Sequence, residues 1–147
     1  MKKWSWLVAP AIVIALAAMP AHAAKKPASG GSGSSITIAT INGVSTAKAA
    51  TVSPTPARGD AVTFATTAAG LAGWEYPMVE VWCYQGSTEV WMDLDKPATQ
   101  FLLGGAGSLW FANGGGASCT ATLDAYGWRG GQESIRKLDS YDFTATG

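Results

Sequence analysis

The chain has 147 residues with ten basic and ten acidic side chains, a formal net charge of zero, seven tryptophans, two cysteines and one histidine. All ten acids lie beyond Ile36, whereas Lys2, Lys3, Lys25 and Lys26 precede it, so the neutral total hides a mildly acidic domain. Its remaining basic residues are scattered and form no cluster that would neutralise phosphates, which makes it a poor nucleic-acid binder; no nucleic acid is expected as a partner.

The first element is a leader. Met1-Lys2-Lys3-Trp4-Ser5-Trp6 is a short basic segment, Leu7 to Ala18 is apolar but for Pro10, and Met19-Pro20-Ala21-His22-Ala23 ends on small residues. Basic, apolar and A-x-A in that order predict a secretory signal peptide over residues 1–23. Pro20 ends the helix and leaves the cleavage site extended. The apolar run is well short of the roughly 20 residues that cross a bilayer, so no membrane span is expected in the mature form. No cysteine sits at the cleavage site and no Arg-Arg pair precedes it, which argues against a lipid anchor and a twin-arginine route. The expected location is secreted and extracellular, or periplasmic where the host has an outer membrane.

Residues 24–35, rich in Gly and Ser, have no apolar period and read as a flexible linker. The folded unit is expected over 36–147, about 110 residues, one domain of ordinary size. His22 departs with the leader, which leaves the mature chain without an imidazole. Ser-His-Asp and Cys-His catalysis and the usual zinc and copper sites are thereby excluded. No catalytic residue, metal or cofactor is expected. Cys83 and Cys119, a lone pair in an exported chain, are expected to form one disulfide.

Beyond Ala24 no helical apolar period persists; β-branched and aromatic residues alternate instead. Strands are predicted at Ile36–Ile41, stopped by Asn42-Gly43, near Ala49–Ser53, and at Ala61–Thr67 after an Arg58-Gly59-Asp60 turn. The strongest is Met78–Tyr84: Val79, Val81 and Cys83 share one face, and Met78, Glu80, Trp82 and Tyr84 the other. Gln85-Gly86-Ser87 turns it into Thr88–Leu94. Short strands near Gln100–Leu103 and Ser108–Phe111 follow. In Ala117–Tyr126 the residues Ala117, Cys119, Ala121 and Leu123 face inward, with Ser118, Thr120, Thr122 and Asp124 outward. After a turn at Arg129-Gly130-Gly131 the last strand is expected near Asp139–Ala145.

Seven or eight short strands spaced by Gly, Pro and Asn turns predict an all-β sandwich. With a cysteine on the inward face of each of two strands and Trp82 next door, the span Ile36–Thr146 resembles the immunoglobulin-like (immunoglobulin or fibronectin-III-like) fold. The runs Val81–Gly86 and Ala117–Leu123 also look like small secreted bacterial proteins of this kind, whose roles are uncharacterised. The resemblance implies one disulfide amid aromatics between the sheets and carries no functional residue. One departure stands out: Cys83 falls on the third main strand rather than the second. The bridge then either joins neighbours within one sheet or spans the two.

Trp74, Trp82, Trp91, Trp110 and Trp128 are many tryptophans for this length. Rings on a flat sheet stack on the apolar faces of sugars, and the candidate ligand-binding residues are Trp82, Tyr84 and Trp91 with Glu80 as a hydrogen-bond acceptor; the alternative is that the rings pack as bulk filling. Arg58-Gly59-Asp60 spells an integrin-recognition tripeptide but suits a turn. Asp93 and Asp95 lack the D-x-D-x-D-G frame of a calcium loop. Glu75, Glu80, Glu89 and Glu133 are the carboxylates a hydrolase would need, without a spacing that points to one. Gly105-Ala106-Gly107-Ser108-Leu109-Trp110 opens like a dinucleotide fingerprint but lacks the third glycine and a following helix. The leading expectation is a non-enzymatic, monomeric domain acting as a surface interaction, adhesion or structural module on a protein, envelope or carbohydrate surface. A carbohydrate-binding module is the first alternative. The second is a small-ligand carrier with a cleft lined by Trp110 and Trp128.

Overall fold

The computed structural model describes residues 33–48 and 55–147. The expected signal peptide, most of the linker and the expected strand near Ala49–Ser53 lie outside the described residues. The described chain is an antiparallel sandwich of two four-stranded sheets. One sheet has the order β2 (Val44–Ser45), β1 (Ser35–Ile41), β3 (Ala61–Thr67), β6 (Phe101–Leu102). The other has the order β5 (Thr88–Asp95), β4 (Glu75–Gln85), β7 (Ala117–Arg129), β8 (Gln132–Ala145). No helix among the described residues is long and apolar enough to cross a membrane.

Alternation puts one face of each sheet in the core. Ile36, Ile41, Val62 and Phe64 come from the first sheet and Val79, Val81, Ala121 and Leu123 from the second. Phe64 and Phe101 meet edge to face at 5.5 Å between ring centres, a geometry that adds to their area burial. The Ile36 N–H donates to Asp139 Oδ2 at 3.1 Å, tying β1 to β8 across the edge of the sandwich.

The disulfide lies within one sheet. Cys83 and Cys119 are direct cross-strand partners on β4 and β7, with Cα atoms 4.1 Å apart and both side chains buried. This answers the choice the sequence left open and departs from the inter-sheet bridge of antibody domains. The tryptophan between the sheets is also not the neighbouring one: Trp82 faces away from the core, while Trp110 is fully buried.

Trp110 marks a correction. Ser108–Phe111 is not a strand; Leu109–Asn113 forms a short helix, α1. Ser108 caps it by accepting the Phe111 N–H at 3.0 Å, as a serine N-cap does. The helix inserts Trp110 into the core, where the indole Nε1–H donates to the Gly115 carbonyl at 2.7 Å. Gly104 is obligatory beneath it, with φ +58° and room for a Cβ only within 2.8 Å of the indole. A helix therefore does follow the Gly105-Ala106-Gly107 run, but its five residues serve to seat a ring.

β8 begins seven residues earlier than expected. Gly130 and Gly131, at φ 61° and 81°, make a tight hairpin that keeps β8 on β7 from Gln132 onward. The sequence Gln132–Leu138 hides this strand because it is polar, and a bulge between the Leu123 and Asp124 pairings breaks its alternation. β4 likewise starts early, through Pro77; β5 ends at Asp95 opposite Val79, so β4 has an unpaired flank where a residue without an N–H fits.

Replacing Cys83 and Cys119 together by serine is predicted to lower the unfolding free energy by about 4 kcal/mol, from the separation of 36 residues that the bridge closes. Urea unfolding of both forms measures it; an unchanged midpoint contradicts the role given to the bridge.

Candidate functional site

Because the inner face of the β5-β4-β7-β8 sheet is core, its outer face is the broad surface the domain presents. Cross-strand partners share a face, so the register writes this surface in rows. One row is Glu89, Tyr84, Ser118, Thr144, and the next is Met92, Trp82, Thr120, Asp142. Leu94, Glu80, Thr122 and Ser140 follow, then Met78, Asp124 and Lys137, then Tyr76, Tyr126 and Ile135. Trp128, opposite Glu133, closes the far end and is 62% exposed.

Three of the four sequence candidates fall together here. Glu80, Trp82 and Tyr84 alternate along β4 on the outer face, with Tyr84 37% exposed and Trp82 half-buried. Trp91 does not join them. A bulge after Cys83 makes Trp91 the partner of Cys83, which turns it to the inner side, where it packs half-buried against the core. Its free edge lines a separate shallow concavity with Gly105, Ala106 and Leu109. Nor do Trp110 and Trp128 share a cleft, since one is core and the other stands on the outer face.

The centre of the face holds a group that sequence reasoning missed. Asp124 was expected on the outward side and is there, yet it is 5% exposed, set between Met78 and Lys137 with Tyr126 two residues on. Burial pushes its carboxyl above the usual aspartate range and the Glu80 charge adds to this, while the Thr122 hydroxyl, donating to Oδ2 at 2.8 Å, and Lys137 pull it back. Tyr126, beside it, has its phenol raised by burial first and then by the surrounding Glu80, Asp124 and Glu133 charges. Tyr76 and Tyr126 lie 6.5 Å apart, their rings inclined by 33°. No sequence signal marks Asp124, because only the strand register sets it between Met78 and Lys137 of the neighbouring strands.

The other motifs find structural partners. Arg58 donates to the Trp110 and Phe111 carbonyls, both at 3.0 Å, and lies over the Phe111 ring at 5.5 Å, so it closes the end of α1. Asp60 accepts from Asn42 Nδ2 and the Ala57 N–H, both at 2.7 Å. The Arg-Gly-Asp run is thus a turn whose two charged ends are occupied. Asp93 and Asp95 accept the N–H groups of Leu94 and Lys96, blunting the exposed β5 edge. No group of three or more potential metal ligands occurs among the described residues.

Glu75 is tied to Arg136 at 2.8 Å, and Arg136 with the Ala72 N–H holds its carboxyl below the ordinary glutamate range. None of Glu75, Glu80, Glu89 and Glu133 is the cross-strand partner of another. Comparison of the chain with protein-family models, curated proteins and solved structures gave no match.

A raised carboxyl in the folded state makes stability fall as pH climbs. Below the unfolded value near 3.8, Asp124 is protonated in both states; above it, folding must bury a charge, and the loss is complete once the folded pKa is passed. Asp124→Asn, which keeps an acceptor for Thr122, is predicted to be more stable than the parent at neutral pH and to lose this part of the pH dependence. Urea midpoints of the two chains from pH 3 to 7 test it; parallel profiles contradict the buried charge.

Proposed function

We propose that the chain is an exported, non-enzymatic binding domain of the immunoglobulin-like kind, working through the outer face of the β5-β4-β7-β8 sheet against a cell-envelope, protein or carbohydrate surface. The observation that carries this reading is the make-up of that face. Tyr76, Tyr84, Met92, Leu94, Trp128 and Ile135 are all exposed on it, with Trp82 half-buried among them. Apolar side chains so gathered on one sheet face mark an interaction surface more than a solubilising one.

Three further features support the reading. The leader pattern and a disulfide fit an oxidising, extracytoplasmic compartment. A domain without histidine has no side chain whose ordinary pKa lies near neutrality, which favours binding over acid–base chemistry. Asp93 and Asp95 satisfy outward amides on the β5 edge, which favours a monomer over edge-to-edge pairing. The inward turn of Trp91 leaves the aromatic strip to Trp82 and Tyr84 with the tyrosines and Trp128 beyond them.

Two outcomes are expected. When the full gene is expressed in a secreting host, the recovered protein should begin at Ala24 by N-terminal sequencing; a chain that retains Met1 contradicts export by cleavage. The double variant Trp82→Ala/Trp128→Ala should lose at least about ten-fold in retention on envelope fractions or insoluble polysaccharide, about 1.4 kcal/mol, while its melting temperature stays close to the parent's. Unchanged retention contradicts use of this face.

A further inference from the structure

The Tyr84 end of the outer face is concave. A depression of about 550 Å³ lies over the ends of β4, β7 and β8, lined by Tyr84, Ser118, Thr120, Asp142 and Thr144. A smaller one of about 290 Å³ adjoins it and shares Tyr84, Gly86, Ser118 and Thr144. We propose that this groove is a saccharide subsite, in which a neutral pyranose ring stacks on Tyr84 while its hydroxyls bond to Asp142, Ser118 and Thr144. The proposal rests on the reading of the outer face as the working surface and names its ligand class.

The polar atoms are arranged for a hydroxyl-rich ligand. Thr120 Oγ1 donates to Asp142 Oδ1 at 2.7 Å, which orients the carboxylate. Its second oxygen, Oδ2, together with Ser118 Oγ, Thr144 Oγ1 and the Tyr84 hydroxyl, has no hydrogen-bond partner among the described residues. A carboxylate is an acceptor only, and the serine and threonine hydroxyls both donate and accept. Vicinal sugar hydroxyls, each a donor and an acceptor, complement such a set, and the Tyr84 ring supplies an apolar wall for the C–H face. This size lies within the range of pockets that hold small ligands.

Charge narrows the class further. Asp142 lines the groove and Glu89 stands beside Tyr84, while no lysine or arginine lines either depression. Phosphate, sulfate and uronate groups would be repelled, so the fitting saccharide carries no anionic group. The groove is also ordered in advance. Tyr84 and Ser118 are each one residue from a half of the disulfide, on strands it joins, so little conformational freedom is lost on binding. Trp82 lies two residues along β4 from Tyr84, roughly 7 Å on at the usual strand rise. It offers a second stacking surface for the next ring of a chain.

The test titrates the purified secreted protein with cellohexaose, mannohexaose and the fully N-acetylated chitin hexamer, and with heparin as an anionic contrast, following backbone amide NMR shifts. The expected result is that a neutral hexasaccharide shifts the amides of Tyr84, Ser118, Thr120, Asp142 and Thr144, and heparin does not. Tyr84→Ala and Asp142→Asn should each weaken that binding at least ten-fold, with amide spectra showing an intact fold, and Val44→Ala, exposed on the other sheet, should leave it unchanged. Shifts centred on Tyr76 and Trp128, unchanged affinity in Tyr84→Ala, or no binding by any neutral hexasaccharide overturns the subsite. If the subsite fails but Trp82→Ala/Trp128→Ala still abolishes envelope retention, the wider reading of the face stands; if that retention is also unaffected, both fall.

Discussion

The pairing of β4 with β7 is the constraint on which the rest of the structure depends. These two strands are the inner pair of the larger sheet, and Cys83 and Cys119 lock one register between them. A slip of one residue would turn Val79, Val81, Ala121 and Leu123 out of the core and Trp82 and Tyr84 into it. A covalent bond between direct partners forbids that slip in the folded chain. The same bond therefore fixes both the packing of the inner face and the rows of side chains on the outer one.

Around that pair the sandwich is closed by local devices. The inner faces supply mainly Val, Ala, Ile and Phe, and Trp110 plugs one end from a helix too short to stand alone. Arg58 holds that helix by its last carbonyls, and Asp60 holds the turn that carries Arg58. A tripeptide with the look of a recognition motif is thus consumed in seating one indole. On the β5 edge Asp93 and Asp95, which lack the frame of a calcium loop, accept their neighbours' amides and so blunt that edge against a further strand.

How much of this the sequence revealed follows from which forces are local. Alternation along Met78–Tyr84 and Ala117–Asp124 placed both cysteines inward and Glu80, Trp82 and Tyr84 outward, because period two is written in neighbouring residues. The all-β sandwich with one disulfide was legible for the same reason. Trp91 was misplaced with the outward set because a bulge shifts its pairing to Cys83, and a bulge leaves no mark in composition. Ser108–Phe111 looked like a strand because two aromatics and a leucine suit one; a serine cap and a cavity for Trp110 made it helical. Asp142 and Thr144 carried no signal of a site, since only the register of β8 sets them beside Tyr84.

What emerges is a platform: a disulfide-pinned strand pair with core on one side and, on the other, aromatic rings, hydroxyls and a buried carboxylate facing outward. The platform depends on the rigidity of that pair relative to the rest of the domain. Amide hydrogen exchange on the oxidised and the reduced chain tests it most directly. The slowest-exchanging amides should lie in β4 and β7 of the oxidised protein, and reduction should speed both strands together, Tyr84 and Ser118 among them. Slowest exchange in β1 and β3, with β4 and β7 indifferent to reduction, would contradict it.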